Sequence, residues 1–469
     1  MLFSLLLSCN NKETEDKTTI TPGINILELE DTNKLVIYCY GYGSLDPILK
    51  PAVRYFERAY NNVEIEYKEF PFDASFGYEE FRTMLKSELL AGDGPDLIIA
   101  DDMYLFDDIY KTMDSGIFFD LTETVNMDPD FKMNLYNPIV MDSGIYKGKR
   151  YIMPIDYSVY PILTLQESLD TENIEFSELS TLEGFLGALK KYMANNIDIT
   201  DKYVSWMYFD KYLMYYYLLY GDINILDYEN RKVDLSNPNI KNLADLSQNI
   251  VNYINYPERE FSSYFHEAVQ SGRFYSDEPI KGLKTGRIFF NDNMMVSQMI
   301  SNFYYNYGGL THDRTPVVII FPDTNGETTA VVNKYAGIRQ RSENKKNAYN
   351  FMKMLLSYDV QMLPTQNPNT YYYINIPVLT SATKAYAKME WEKSGSWTNN
   401  DGSVIWEKVP NEIHEQFMEI LVNVDSCVLP ASAPLRLVLE GLGPYFSGEK
   451  TYENCISDLK TRLEIYLTE

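Results

Sequence analysis

The stretch KLVIYCYGYG, residues 34–43, is an apolar run that ends in a glycine-rich turn, a pattern typical of a buried strand followed by a loop. Apolar residues then recur at helical spacing over residues 47–61, and residues 63–70 alternate apolar and charged side chains, as a strand with one exposed face does. A second amphipathic helical segment, residues 78–90, precedes a short buried strand at residues 96–100. This strand–helix–strand–helix–strand order predicts an α/β protein with a mainly parallel sheet covered by helices.

The ends of these strands are where a binding site is expected, because open α/β sheets bind ligands beyond the carboxyl ends of their strands. Tyr42 follows the first strand, and Asp101 and Asp102 follow the third. Carboxylates accept hydrogen bonds from hydroxyl groups, and a tyrosine ring offers a flat apolar surface on which a ligand can stack. The same carboxylates could instead cap the next helix, and Tyr42 could pack beside a hinge.

Later patterns extend the same architecture. They predict a basic turn leading into a strand over residues 146–157, a mainly helical and aromatic-rich region over 180–310, strands at 317–321 and 328–332, and a helix over 346–358 that is capped by residues 342–345.

The length and composition indicate a folded protein of two domains or lobes that does not bind nucleic acid. The chain has 469 residues, 45% hydrophobic and 23% charged, which is typical of globular proteins and too long for one core. Its formal net charge is −26, whereas nucleic-acid binding requires basic side chains that displace counterions from phosphates. Tyrosine is abundant, with 40 residues, and its flat ring and hydroxyl suit polyhydroxylated ligands as well as ordinary packing.

Cysteine and histidine are too scattered to predict a metal site or another cofactor. The 3 histidines lie far apart and none is near a cysteine, which argues against structural zinc. Cys39 lies in an apolar strand pattern, and a Cys427–Cys455 disulfide is possible in an oxidising compartment. The chain also lacks the nucleophile-elbow, zinc-protease and phosphate-loop motifs, so we expect a protein that is not an enzyme.

The N-terminus resembles a bacterial lipobox, because an apolar run at residues 5–7 is followed by Ser8 and Cys9. In that motif the signal peptide is cut before the cysteine, whose thiol carries lipid. Residues 10–33 are polar and suit a flexible tether. None of the residues before Cys9 is basic and the apolar run is short, so we expect the signal peptide to start upstream of Met1. The resemblance implies an extracytoplasmic lipoprotein anchored to the cell membrane.

Several segments in order resemble the family 1 extracellular solute-binding proteins, the carbohydrate-type receptors of ABC importers. They span about residues 34–385, and they are a Gly-Pro-Asp strand at 94–101, a Gly-Lys-x-Tyr-x-x-Pro segment at 147–157, a turn and strand at 281–291, a Ser-x-Asn-Lys-x-x-Ala-x-x-Phe helix at 342–351 and a return strand at 374–378.

That resemblance implies a periplasmic-binding-protein-like fold, with two α/β lobes on a hinge and a ligand cleft between them. The N-terminal lobe would take residues 34–153 and 333–375, and the C-terminal lobe residues 154–332 and 376–469. The implied partners are a carbohydrate, which we expect to be an oligosaccharide, and the permease subunits of an importer. We expect the protein to act as a monomer without a cofactor.

Ligand contacts are expected at the strand ends and at the crossings between lobes. The candidates are Tyr42, Asp101, Asp102, Asp156, Tyr157, Trp206, Asn291, Asp292, Lys334 and Tyr335, of which Trp206 lies in a tyrosine-rich stretch and could equally belong to the core. The chain departs from the family after residues 290–291, where a sugar-stacking tryptophan is common and Asp292 to Met295 stand instead. A stacking role could then fall to one of the four tryptophans, Trp206, Trp391, Trp397 or Trp406.

Two other functions share these features. A ligand-sensing partner of a membrane receptor would use the same cleft and differ only in its partner surface. A secreted glycoside hydrolase would need two carboxylates that flank the scissile bond. Asp101 and Asp102 are adjacent and diverge, whereas a pair with Asp156 or Asp292 stays open from the sequence.

Overall fold

A computed structural model of the chain describes residues 25–41, 46–71, 78–101, 105–199, 201–205, 212–254, 278–292, 299–311, 313–363, 375–394, 397–398 and 404–469. Within them the α-helices are Asp46–Ala59, Tyr78–Ala91, Ile109–Asp114, Thr122–Met127, Pro138–Asp142, Gln166–Glu172, Leu182–Asn195, Tyr212–Tyr220, Pro238–Ile254, Glu278–Lys284, Met299–Thr311, Lys345–Leu355, Tyr358–Gln361, Thr380–Lys393, Asn411–Val422, Ser432–Phe446 and Tyr452–Thr468. Short 3-10 helices cover Ile26–Glu28, Met133–Leu135 and Phe176–Ser180.

The strands are short, and most of them lie near the middle of the chain. They are β1 (Lys34–Gly41), β2 (Glu64–Pro71), β3 (Leu97–Asp101), β4 (Ile145–Tyr146), β5 (Lys149–Arg150), β6 (Ile152–Ser158), β7 (Pro161–Leu165), β8 (Tyr203–Ser205), β9 (Leu226–Asp227), β10 (Lys232–Val233), β11 (Ile288–Phe290), β12 (Pro316–Ile320), β13 (Thr329–Ile338), β14 (Ile376–Pro377), β15 (Trp397–Thr398), β16 (Val404–Trp406) and β17 (Ser426–Val428).

The first part of the chain folds as its sequence pattern predicts. β1 pairs in parallel with both β2 and β3, and the two helices between these strands connect them. The apolar residues of β1 face inward, with Leu35, Ile37 and Cys39 fully buried. The α/β order read from residues 34–100 is therefore confirmed.

The sheet that these strands join is mixed, whereas the sequence predicts a mainly parallel one. Its seven strands run in the order β14-β6-β13-β3-β1-β2, with β17 beside the start of β13. β13 is antiparallel to both β3 and β6, and β14 is antiparallel to β6. The reason is that β6 leads the chain away from this sheet whereas β13 brings it back, so these neighbours run in opposite directions.

A second group of strands continues from the far end of β6. After Val159 and Tyr160 the chain enters β7, which pairs antiparallel with β12 and contacts Asn291 just after β11. β11 in turn pairs in parallel with β8. The chain therefore passes from one layer of strands to another across a very short connection.

The apolar residues form two separate clusters, and the chain changes cluster between neighbouring residues. Val159 belongs to the first cluster and Tyr160 to the second, while Val331 belongs to the second and Val332 to the first. The second cluster is built largely by the helices Leu182–Asn195, Pro238–Ile254, Ser432–Phe446 and Tyr452–Thr468. The molecule thus has two cores joined by β6 and β13. The lobe boundaries given above stay a prediction.

Asp96, the aspartate of the Gly-Pro-Asp segment, ties β1 and β3 to the helix Lys345–Leu355. Its carboxylate accepts hydrogen bonds from Val36 N at 2.8 Å, Ser342 Oγ at 2.7 Å and Asn344 Nδ2 at 3.0 Å. The sequence predicts that residues 342–345 cap this helix, but the N-cap residue Asn344 makes no side-chain cap bond. Both polar side chains point to Asp96 instead, because that buried carboxylate offers them a charged acceptor.

Candidate functional site

One row of residues that crosses the seven-stranded sheet brings together strand positions that are far apart in sequence. Gly41 at the end of β1 pairs with both Pro71 and Asp101, the last residues of β2 and β3. The next strand is β13, in which Tyr335 pairs with Ala100, so that Lys334 lies beside Asp101.

The same row continues across the other half of the sheet. Lys334 pairs with Asp156 of β6, and Asp156 pairs with Pro377 of β14. The predicted positions at residues 101, 156 and 334 therefore lie along a single row. Tyr42 and Asp102 come directly after the row but lie outside the described residues, as does Trp206, and of Asp101 only the backbone is described.

Asp156 and Lys334 form a buried ion pair in this row. Lys334 Nζ lies 2.9 Å from Asp156 Oδ2, and the amide of Asn375 donates to Asp156 Oδ1 at 3.2 Å. Lys334 is 1% exposed and Asp156 is 7% exposed. Burial raises the pKa of Asp156, and the facing ammonium and the Asn375 amide act against that rise by stabilising the carboxylate. The pair is thus a fixed polar centre between β6 and β13.

Tyr157 and Tyr335 lie next to this pair along their strands, and both side chains are in the first core. Successive side chains of a strand point to opposite faces, so Tyr157 turns away from Asp156. The Tyr157 hydroxyl donates to the Leu421 carbonyl, and burial raises the pKa of this phenol. Tyr335 is 5% exposed. The structure therefore places both tyrosines in packing positions.

Asn291 and Asp292 lie at a matching edge of the second group of strands. They follow β11, whose Phe290 pairs with Ser205 at the end of β8. Asp292 Oδ2 accepts hydrogen bonds from Ser205 Oγ at 2.5 Å and from Tyr160 Oη at 3.3 Å. Asn291 is fully buried, and its amide donates to Asn306 Oδ1 at 2.9 Å.

The crossing that leaves β6 connects these two polar centres. Asp156 belongs to the first centre, and Tyr160, which donates to Asp292, belongs to the second. At about 3.3 Å per residue of extended chain, the two positions are on the order of 13 Å apart along the backbone. One short crossing of the chain therefore links the two polar centres.

Three residues that complete these polar centres are not identified by the sequence pattern. Asn375 precedes the return strand β14, Tyr160 lies between β6 and β7, and Ser205 ends β8. The signal available for Ser205 is its place at the end of a short apolar run. Tyr160 and Asn375 have no pattern of their own, because their roles come from strands that meet only in three dimensions.

Aromatic and acidic side chains join the two cores at a second contact, here called the Asp108 clasp. Asp108 Oδ2 accepts hydrogen bonds from Tyr228 Oη and Tyr466 Oη, both at 2.6 Å. Asp108 Oδ1 accepts from the backbone of Tyr110 and Lys111 and so caps the helix Ile109–Asp114. The ring of Tyr110 stacks on that of Tyr228, with centroids 4.8 Å apart. Burial, followed by the charge of Asp108, raises the pKa of Tyr228 and of Tyr466, so both phenols are donors.

A cavity of about 70 Å³ adjoins the clasp. Most of its wall is aliphatic, and its polar lining includes Asp222 and Asn224. Burial and the nearby Asp323 carboxylate raise the pKa of Asp222. The lining consists of Tyr110, Leu218, Leu219, Asp222, Ile223, Asn224, Ile225, Leu226, Tyr228, Val428, Leu429, Ala431, Pro434 and Leu435.

The part of the chain that the structure describes contains no group of three or more His, Cys, Asp or Glu residues able to hold a metal ion. Nor does any helix in those residues have the length and apolar character needed to cross a membrane.

Cys39, Cys427 and Cys455 are free thiols, so the possible Cys427–Cys455 disulfide is absent. Cys9 lies outside the described residues.

Comparison by sequence finds neither a family model nor a curated protein that matches this chain. Comparison with solved structures finds many matches along almost the whole length. An ABC substrate-binding protein from Listeria monocytogenes in complex with cycloalternan is 14% identical, with a TM-score of 0.57 over 93% of this chain and 100% of its own.

Two further solved structures agree with that match. The GacH receptor of Streptomyces glaucescens, solved unliganded and with acarbose, is 15% identical, with a TM-score of 0.57 over 94% of this chain and 100% of its own. An extracellular solute-binding protein family 1 member from Alicyclobacillus acidocaldarius is 14% identical, with a TM-score of 0.53 over 94% and 100%. The chain therefore has the α/β, periplasmic-binding-protein-like fold of these solute-binding proteins.

Proposed function

We propose that the protein is a solute-binding receptor that captures a carbohydrate between its two lobes and delivers it to an ABC importer. The observation that carries this proposal is the likeness to solved solute-binding proteins over more than nine-tenths of the chain. Among these proteins, one is described in complex with cycloalternan and another with acarbose. The proposed function is therefore binding without catalysis.

The polar centres at the strand edges support a ligand with many hydroxyl groups. A neutral sugar needs side chains that both accept and donate hydrogen bonds, together with flat apolar surfaces. Asp101 is the last residue of β3 and Asp102 follows it in the sequence, Asp156 lies within β6 in the same row, and Asp292 follows β11 in the second group of strands. We propose these, with Tyr42, Trp206, Asn291 and Lys334, as the polar and aromatic lining of the binding site.

Membrane attachment and monomeric action belong to the same proposal. A lipid on Cys9 would hold the receptor at the outer face of the membrane, and residues 10–24 would give it reach toward the permease. The predicted tether does not extend to residue 33, because Ile26 is fully buried in the first core and begins a 3-10 helix. Lipid labelling of the expressed protein, compared with a Cys9→Ser variant, tests the anchor. Labelled lipid in the wild type alone is expected, and equal labelling of both proteins would contradict it.

A thermal-shift screen tests the ligand class directly. The panel consists of glucose, maltose, maltotetraose and acarbose, with a tetrapeptide and spermidine as matched controls of other chemical classes. A saccharide at 100 times its dissociation constant stabilises the fold by about 2.7 kcal/mol, which shifts the melting temperature by several degrees. A shift with the peptide or polyamine and none with any saccharide would overturn the proposal.

A further inference from the structure

A notch in the seven-stranded sheet lies at the junction of the two cores. On one side of β13, residues 329–331 pair with β17 and residues 335–338 pair with β3. Among the described residues no strand pairs with residues 332–334 on that side. The notch therefore opens beside Asp101, the last residue of β3.

The pairing of β13 with β6, on its other side, is irregular at the same point. Val332 pairs with Tyr157 and Lys334 with Asp156, which leaves Asn333 as an extra residue in β13. Such a bulge changes the direction of a side chain, and bulges are frequent next to functional sites. Asn333 is therefore placed at the notch by a local break in the sheet.

The side-chain amide of Asn333 is only half satisfied. Its Oδ1 accepts a hydrogen bond from Ser158 Oγ at 3.3 Å, whereas its Nδ2 is shielded from solvent and has no hydrogen-bond partner in the structure. Rotating the amide by half a turn would exchange the two atoms and still leave one of them without a partner. Buried polar groups nearly always have a partner, so this one points to a group that binds there.

The surroundings indicate what that group is. Asn333 is adjacent to Lys334 of the buried ion pair, and Ser158 also contacts Tyr220 Oη, at 2.9 Å, from the second core. The unpartnered atom thus lies between the polar row of the sheet and the second core. A hydroxyl group can accept from Nδ2 or donate to Oδ1, so it satisfies the amide in either orientation.

We propose that Asn333 is a ligand-contacting residue whose amide hydrogen-bonds a hydroxyl group of the bound carbohydrate. This inference rests on the proposed function and extends it to a residue that the sequence pattern does not identify. Asn333 would then contribute to affinity, while the unliganded protein would carry a buried amide that lacks a partner.

The test replaces the amide by an apolar side chain of similar size in Asn333→Leu, with Asn333→Ala as a second variant. The probe is whichever of glucose, maltose, maltotetraose or acarbose shifts the wild type most. We expect the dissociation constant measured by calorimetry to rise on the order of tenfold in both variants. The melting temperature of unliganded Asn333→Leu should be unchanged or higher, because the unpartnered amide is gone.

The matched control is Ser158→Ala, which removes the group that donates to Asn333 but leaves the amide in place. Its affinity should stay within about threefold of the wild type. If Asn333→Leu and Asn333→Ala also bind within threefold of the wild type, the inference is overturned and the proposed function stands. If the wild type binds the peptide or the polyamine and no saccharide in the panel, the proposed function fails, and this inference fails with it.

Discussion

At the scale of single residues, the seven-stranded sheet buries two opposite charges, those of Asp156 and Lys334. Asp156 and Lys334 are both buried and lie on strands that the sequence separates widely, yet they meet as an ion pair. Taking both charges out of water is costly, and the pair repays that cost only while both partners are present. Removing one partner is therefore worse than removing neither or both.

Lys334→Met should lower the free energy of unfolding by about 3–5 kcal/mol, because it leaves the Asp156 carboxylate buried without its cation. Lys388→Met is the control, since Lys388 and Glu392 form a pair whose side chains are 66% and 57% exposed. The control should change stability by less than about 0.5 kcal/mol. Urea unfolding of both variants measures the difference, and equal effects would show that the buried pair has no special role.

At this scale the sequence predicts where polar groups lie but not what they contact. It identifies Asp156, Asn291, Asp292 and Lys334 as residues at strand ends or at crossings between lobes. The structure places Asp156 inside β6 and Lys334 inside β13, and it brings the two together. Whether each of them touches a ligand stays a prediction. The partner of a side chain depends on which strands become neighbours, and neighbours such as β6 and β13 are set by the whole fold.

Among the elements, the best predicted are those whose pattern is local. The apolar run of β1, the alternation of β2 and the helices between the first strands are all read correctly, because burial of one face fixes their period. The mixed direction of the sheet is not read from the sequence, since β13 and β14 join it only after the chain has returned from the second core.

The Asp96 junction makes a prediction at the scale of elements. Asp96→Ala removes the acceptor shared by Val36 N, Ser342 and Asn344, so β1, β3 and the helix Lys345–Leu355 lose their common contact. We expect a loss of about 3 kcal/mol in unfolding free energy, from several unsatisfied donors. Asp93→Ala, an exposed aspartate in the same loop, is the control and should be near neutral. Equal melting temperatures for the two variants would contradict the junction.

At the scale of the whole molecule, the Asp108 clasp is a contact between the two cores outside the sheet. Tyr466→Phe removes the hydrogen bond to Asp108 that comes from a helix of the second core, while Tyr445→Phe removes a similar tyrosine–aspartate bond, to Asp245 at 2.7 Å, that lies within the helices of the second core. Each should cost about 1 kcal/mol. Only Tyr466→Phe should speed hydrogen exchange in the Ile109–Asp114 helix, which mass spectrometry can resolve. Protection of that helix in both variants would argue against a clasp between the cores.

Ligand binding should bring the two lobes together. A ligand favours closure only when it contacts both sides of the cleft, which is the role proposed for the polar centres at Asp156 and Asp292. Small-angle X-ray scattering should show a smaller radius of gyration at saturation with the saccharide found in the screen. An unchanged radius at saturation would contradict closure.

The first core can finish folding only late in the synthesis of the chain. Its residues run from Ile26 to Leu429, so it lacks parts of its packing until almost the entire chain has left the ribosome. Domains usually fold as units while synthesis proceeds, and this one cannot finish early. We expect ribosome-bound chains truncated at residue 400 to stay sensitive to protease, and full-length chains to become resistant. The export proposed above would benefit from this delay, because a chain that is still unfolded can be threaded through a secretion channel.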